Sequence, residues 1–190
     1  MQMLATALII AFAAIFPVRA AETAFDTALL ARDEGLLVLY RHALAPGVGD
    51  PAGFDPRDCA TQRNLDAAGR AQARRMGDRL REAGLKSPRI FTSRWCRSRD
   101  TARLLGFGQP EELPALDSFF QQAGEATERT RALRDFIAGL PSDSPTIIMV
   151  THQVNITALT GVFPASGAGV VAAGGRNGEE ISLMGVLPAP

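Results

Sequence analysis

The sequence predicts a three-layer α/β domain, with an open, mostly parallel sheet and helices on both faces, on three observations. Short apolar runs alternate with longer segments of helical spacing, the order that builds a parallel sheet flanked by helices. The runs are continuously apolar rather than alternating, as expected for strands covered on both sides. Glycine and proline punctuate the junctions, and no repeat or low-complexity block interrupts the order.

The first segment stands apart from this pattern. Residues 4–16 are almost wholly apolar, end at Pro17 and lead into Val18-Arg19-Ala20-Ala21. A run of that length followed by small residues reads as a secretory signal peptide, residues 1–20, and it is short for a membrane span. Its start, Met1-Gln2-Met3, carries no lysine or arginine. Residues 21–190 then form one domain, large enough for a sizeable core and without a stable membrane span after cleavage.

Leu36-Leu37-Val38-Leu39-Tyr40 follows Gly35 and is the first buried strand; its end delivers Arg41-His42. Residues 43–64 hold three prolines and three glycines, which predicts a loop over the strand end. Residues 66–83 form a helix, with Ala73, Met76 and Leu80 on one face, Asp66 as N-cap and Gly84 as the stop. A second strand is Arg89-Ile90-Phe91-Thr92, and a second helix spans 97–105, closed by Gly106. A third helix covers 127–140, with Ala132, Leu133, Phe136 and Ile137 on one face. Thr146-Ile147-Ile148-Met149-Val150 is the next buried strand and leads to Thr151-His152. Gly169-Val170-Val171 and residues 181–187, separated by Gly174-Gly175-Arg176-Asn177-Gly178, predict a terminal hairpin.

Composition excludes some functions. Twenty basic and twenty acidic residues give no net charge, so nothing global favours nucleic acid or an anionic membrane, and any anion specificity must be local. Two histidines and two cysteines without metal-ligand spacing argue against a structural zinc site. In an exported chain, Cys59 and Cys96 are expected to form one disulfide, with two buried free thiols as the alternative.

Three polar segments follow apolar strands: Tyr40-Arg41-His42-Ala43, Thr92-Ser93-Arg94-Trp95-Cys96-Arg97 and Val150-Thr151-His152-Gln153. Parallel strands would bring all three to one sheet edge, where ligands collect. A phosphoryl group in transit spreads charge over three oxygens, which guanidinium forks and imidazoles can meet with hydrogen bonds. A neutral imidazole oriented through its far nitrogen can act as the nucleophile.

These segments resemble the histidine phosphatase superfamily. Its Arg-His dipeptide stands here as Arg41-His42, its second block as Thr92-Ser93, Arg97 and Thr101-Ala102, and its third as the strand ending in His152. Leu65, Gly69, Gln72 and Ala73 match a further Leu-x-x-x-Gly-x-x-Gln-Ala helix start, read as fold-defining. The resemblance covers about residues 36–161 and implies His42 as nucleophile, Arg41 and Arg97 as phosphate ligands and His152 as ligand and transition-state stabiliser. The chain departs from the pattern at Ala43, where many members have glycine, and in Gly47-Val48-Gly49, near an expected asparagine. Backbone amides of that loop are one replacement for the missing side chain. Gln153 stands where a related branch has its proton-donating aspartate, so the donor must lie elsewhere: Asp117 first, Glu125 behind it, or substrate or solvent.

The expected function is hydrolysis of a phosphomonoester, a phosphorylated small molecule or glycan outside the cytoplasm, through a phosphohistidine, with no cofactor or metal and no nucleic-acid partner. Alternatives are a phosphomutase and a non-catalytic phosphate-ligand binding protein. Trp95 is expected either to line the pocket mouth or to pack. Arg94, Arg99 and Arg103 are expected as helix-surface charges, and Arg74, Arg75, Arg79 and Arg81 as a solvated face. The sequence leaves the oligomeric state open.

Overall fold

The computed structural model describes residues 24–32 and 35–190; the apolar run at 4–16 and the expected cleavage site lie outside the described residues. Six strands form one sheet: β1 (Leu36–Arg41), β2 (Arg89–Thr92), β3 (Glu111–Glu112), β4 (Ile147–Thr151), β5 (Gly169–Gly174) and β6 (Ile181–Leu187). Their order is β3-β2-β4-β1-β5-β6. The first four strands of that order run parallel, whereas β5 is antiparallel to β1 and β6 antiparallel to β5. The sheet is therefore mixed, with the expected hairpin closing one side.

Both faces of the sheet are covered, as the unbroken apolar runs require. Along β1, Leu36, Val38 and Tyr40 pack with Ala73, Met76 and Leu80 of α1 (Ala67–Glu82) and Ala102 of α2 (Cys96–Leu104). The alternate residues Leu37 and Leu39 pack with Leu133 and Ile137 of α3 (Ala126–Ala138) and Ile156 and Leu159 of α4 (Gln153–Thr160). Ala132, expected on the core face of α3, is exposed, one step off the stripe set by Leu133 and Ile137. Among the described residues, no helix is long and apolar enough to cross a membrane.

The sequence reading placed no element at α4. Val154, Ile156, Thr157 and Thr160 are β-branched, and such side chains lose rotamer freedom in a helix. Burial of Ile156 and Leu159 against the sheet outweighs that propensity, and Gly161, at φ 78°, ends the helix in the left-handed region.

The helix-start block shows why its residue types recur together. Asp66 caps α1 by accepting from the Gly69 amide at 2.7 Å. Gly69 lies so close to the loop after β1 that a Cβ there would sit 1.9 Å from the Leu44 carbonyl oxygen. Gln72 holds the same loop, accepting from the Leu44 amide at 2.8 Å and donating to the Ser166 carbonyl at 3.1 Å. The block is thus a clamp on the segment that follows His42. The arginines at 74, 75, 79 and 81 are exposed, in keeping with a solvated face.

Cys59 and Cys96 are disulfide-bonded, with Cα atoms 5.7 Å apart, and tie the 43–64 loop to the first residue of α2. Closing a loop of this size stabilises a fold by about 3–4 kcal/mol in the chain-entropy model. Reductant is therefore expected to lower Tm, and non-reducing mass spectrometry to find the two peptides linked. Two freely alkylated thiols in protein taken from an oxidising compartment would contradict the bond.

Candidate active site

Strand geometry brings His42, Arg97 and His152 together. His42 leaves β1 with its amide bonded to the Thr151 carbonyl at 2.9 Å, so the ends of β1 and β4 are held in register. Its Nδ1 lies 2.7 Å from the Ala43 carbonyl oxygen. A carbonyl only accepts, so Nδ1 carries the proton and donates, and Nε2 keeps its lone pair. Into that lone pair the Arg97 Nε–H donates, at 3.2 Å. The His152 ring stands 5.4 Å from that of His42 at 65°, its Nε2 2.8 Å from Ser93 Oγ and 3.4 Å from Ser98 Oγ.

These groups form the floor of a cavity of about 230 Å³. Arg41 lines it, donating from Nη1 to the Pro164 carbonyl at 3.1 Å, while its buried Nε has no hydrogen-bond partner among the described residues. Gln153 and Val154, in the first turn of α4, also border the cavity. Trp95 both packs and lines the wall: it is buried, its ring lies 5.6 Å from His152 and 5.5 Å from Phe54, and it immediately precedes α2.

Two residues that sequence reasoning missed also enter the site. Arg63 lines the cavity, its side chain donating to the carbonyls of Gly49, at 2.9 Å, and of Ala45. Asp50, the residue after Gly47-Val48-Gly49, places its carboxylate against Arg97 at 2.7 Å. The loop thus turns carbonyls toward Arg63, and its Asp50 amide donates to Gln121 Oε1 at 3.1 Å. The one available signal was a lone acid following a glycine pair in the loop that must cover the strand end.

Asp117 is not brought into the cavity. Its carboxylate is 0% exposed and accepts from the Arg94 amide at 2.9 Å and Arg94 Nε at 2.7 Å, with Arg129 at 3.7 Å. It is neighbouring Ser118 that lines the pocket. The expectation that Asp117 donates a proton is therefore at odds with its placement: the carboxylate serves as the buried partner of two arginines. Glu125 pairs with Arg129 at 2.6 Å and also lies outside the lining. Arg94 accordingly has a structural partner rather than being a free surface charge, and Arg99 reaches Glu112 at 3.2 Å. Arg103 is exposed.

Burial, then the charge of Arg97, pushes the His42 pKa down from 6.5 to about 3. His152 is lowered well below its usual value by the same two causes. Both are neutral near pH 7. As pH falls below about 6.5, toward 3 for His42, the unfolded chain takes up protons at these histidines that the fold does not. Each such histidine then removes up to about 1.4 kcal/mol of stability per pH unit within that window, and none above it. Tm is expected to be level above pH 7 and to fall between pH 6.5 and 5, before most carboxylates titrate. A Tm unchanged over that interval would show that the imidazoles protonate inside the fold.

The 37–120 segment, holding β1, the covering loop and both arginine-bearing blocks, matches the model of the histidine phosphatase superfamily (branch 1). Over that segment, less than half of its length, the chain is similar to that superfamily. No curated protein matches it. Among solved structures, it resembles a protein described as a SixA-type phosphohistidine phosphatase from Nakamurella multipartitia, at 21% identity and a TM-score of 0.59, over 81% of this chain and 95% of that one. The protein histidine phosphatase SixA complexed with tungstate is similar at 18% identity and a TM-score of 0.56, over 81% and 97%. A mycobacterial glucosyl-3-phosphoglycerate phosphatase in complex with VO3 is similar at 17% identity and a TM-score of 0.59, over 82% and 99%. These likenesses are of fold; the family match covers residues 37–120.

Proposed function

We propose that this chain is a histidine phosphatase that hydrolyses phosphomonoesters in two steps, with His42 as the nucleophile. The observation that carries the reading is the tautomer of His42: Nδ1–H is held by the Ala43 carbonyl, and the Nε2 lone pair faces the cavity beside Arg97. In the first step Nε2 forms a bond to phosphorus as the ester P–O bond breaks. The leaving oxygen takes its proton from solvent or from the substrate itself, because Asp117 and Glu125 lie outside the cavity lining. In the second step water attacks the phosphohistidine, releasing phosphate and restoring Nε2. Arg41, Arg97 and His152 bind the phosphoryl oxygens and stabilise the charge that spreads over them in transit.

The substrate is a phosphorylated small molecule or glycan outside the cytoplasm. The signal-like run at 4–16 and the disulfide support export. Named activities of the structural neighbours, toward phosphohistidine and toward glucosyl-3-phosphoglycerate, belong in the panel to be tested. Purified protein should release phosphate from p-nitrophenyl phosphate, and the same assay across sugar phosphates, phosphorylated glycans and a phosphohistidine peptide should rank substrates. Tight phosphate binding with no release from any of them would favour the binding-protein reading instead.

A further inference from the structure

Resting on this reading of His42 and Arg97, we propose that Asp50 is a positioning residue, which aims the Arg97 guanidinium at the phosphoryl group and is not the proton donor. Every acceptor position of its carboxylate is filled. Oδ1 accepts from Arg97 Nη1 at 2.7 Å and from the Arg63 amide at 3.1 Å. Oδ2 accepts from Arg97 Nη2 at 3.1 Å and from Trp95 Nε1 at 3.0 Å. Four donors on two oxygens match the four lone-pair sites of an ionised carboxylate and leave none for a carboxyl proton. The ion pair is enclosed, with side chains 4% and 3% exposed for Arg97 and Asp50. Burial pushes the Asp50 carboxyl up, but hydrogen bonds from Arg97, its charge and the donors from Arg63 and Trp95 outweigh that and hold it below the usual carboxylate range.

The geometry says what the carboxylate is for. With Nη1 and Nη2 both gripped by Asp50, the guanidinium plane is fixed and Nε–H is left pointing at His42 Nε2. An incoming phosphoryl group displaces this hydrogen bond from the Nε2 lone pair, and the freed N–H, its plane still held by Asp50, then donates to one of the phosphoryl oxygens. Arg41 and Arg63 also face the cavity. Three arginines and one carboxylate leave a net +2, matched to a phosphate dianion.

The test compares Asp50→Asn, Arg97→Ala and the double variant with wild type on p-nitrophenyl phosphate, Tm being recorded for each. Asparagine keeps the shape but turns N–H groups toward Arg97 or Trp95. Asp50→Asn should therefore lower kcat by about tenfold or more with a smaller change in KM, since orientation acts mainly in the transition state. Because Asp50 acts through Arg97, the double variant should be no slower than Arg97→Ala alone. Asp50→Ala should recover part of its lost kcat with added formate, which fits the vacated site. If Asp50→Asn does not fold, Asp50→Glu, which keeps the charge, takes its place in the same comparison. Wild-type kcat in the Asp50 variant, or losses that multiply in the double variant, would overturn the positioning role. If Arg97→Ala and His42→Ala keep full activity, it is the reading of the site itself that fails.

Discussion

Replacing His42 by alanine is expected to abolish turnover, with loss of at least about a thousandfold in kcat, because it removes the nucleophile and not merely a ligand. The imidazole is the group whose lone pair faces the cavity from its floor, and its orientation is set by the backbone of the next residue. Rapid acid and base quenches should distinguish the intermediate. Wild-type protein mixed with labelled substrate should carry a phosphoryl group that is stable to base and labile to acid, as a phosphoramidate is, and the variant should carry none. Relieving a buried, unprotonated imidazole should leave Tm near or above the wild-type value at pH 5, which separates lost chemistry from lost folding. A His42→Ala protein turning over at the wild-type rate would end the covalent mechanism.

Arg97→Ala is expected to cost at least about a hundredfold in kcat/KM, the scale of losing one charged donor to transition-state oxygens. Its effect should exceed those of Arg94 and Arg99 because of the three only Arg97 turns into the cavity, 3% exposed and in contact with His42. Arg99, which reaches Glu112 and the disulfide sulfurs, should be replaceable with little change. Arg94 differs from both: it is half-exposed but holds the buried Asp117, so Arg94→Ala should lower Tm more than it lowers kcat/KM. Kinetics at saturating and limiting substrate, paired with melting curves, would distinguish the three. A larger kinetic loss at Arg94 or Arg99 than at Arg97 would contradict the placement of Arg97 in the site.

Much of this was legible before any coordinates because the chemistry sits where periodicity changes. β1 and β4 announce themselves as apolar runs and β2 as the shorter Ile90-Phe91 pair, and the polar residues that follow each of them fall at one sheet edge. Helix α1 carries its own signals, with Asp66 to start it and Gly84 to stop it. Helix α4 was not legible, because its β-branched residues speak for strand and only the sheet beneath it decides otherwise. Asp50 and Arg63 were missed for a related reason. They lie 47 and 34 residues from Arg97 in sequence, inside a loop without periodicity, and meet it only once the chain has closed. Asp117 misled in the opposite direction: a carboxylate near the right strand end was legible, but the backbone turn that points it at Arg94 was not.

The two margins of the sheet bear on how the protein behaves in company. A strand with unpaired amides and carbonyls is a template on which another molecule can crystallise or aggregate. Here β3 is only two glutamates long, and their carboxylates are met by Arg89 and Arg99 from within the same molecule. On the opposite margin β6 is partly covered, Ala24 bridging to Val186 and the Phe25 amide bonding to the Val186 carbonyl at 3.0 Å. Exposed Leu183 and Met184 lie along the rest of that margin. Concentrated solutions should therefore be more sensitive to changes at Leu183 and Met184 than to changes at the β3 margin, where a strand of two residues offers little backbone for another molecule to pair with.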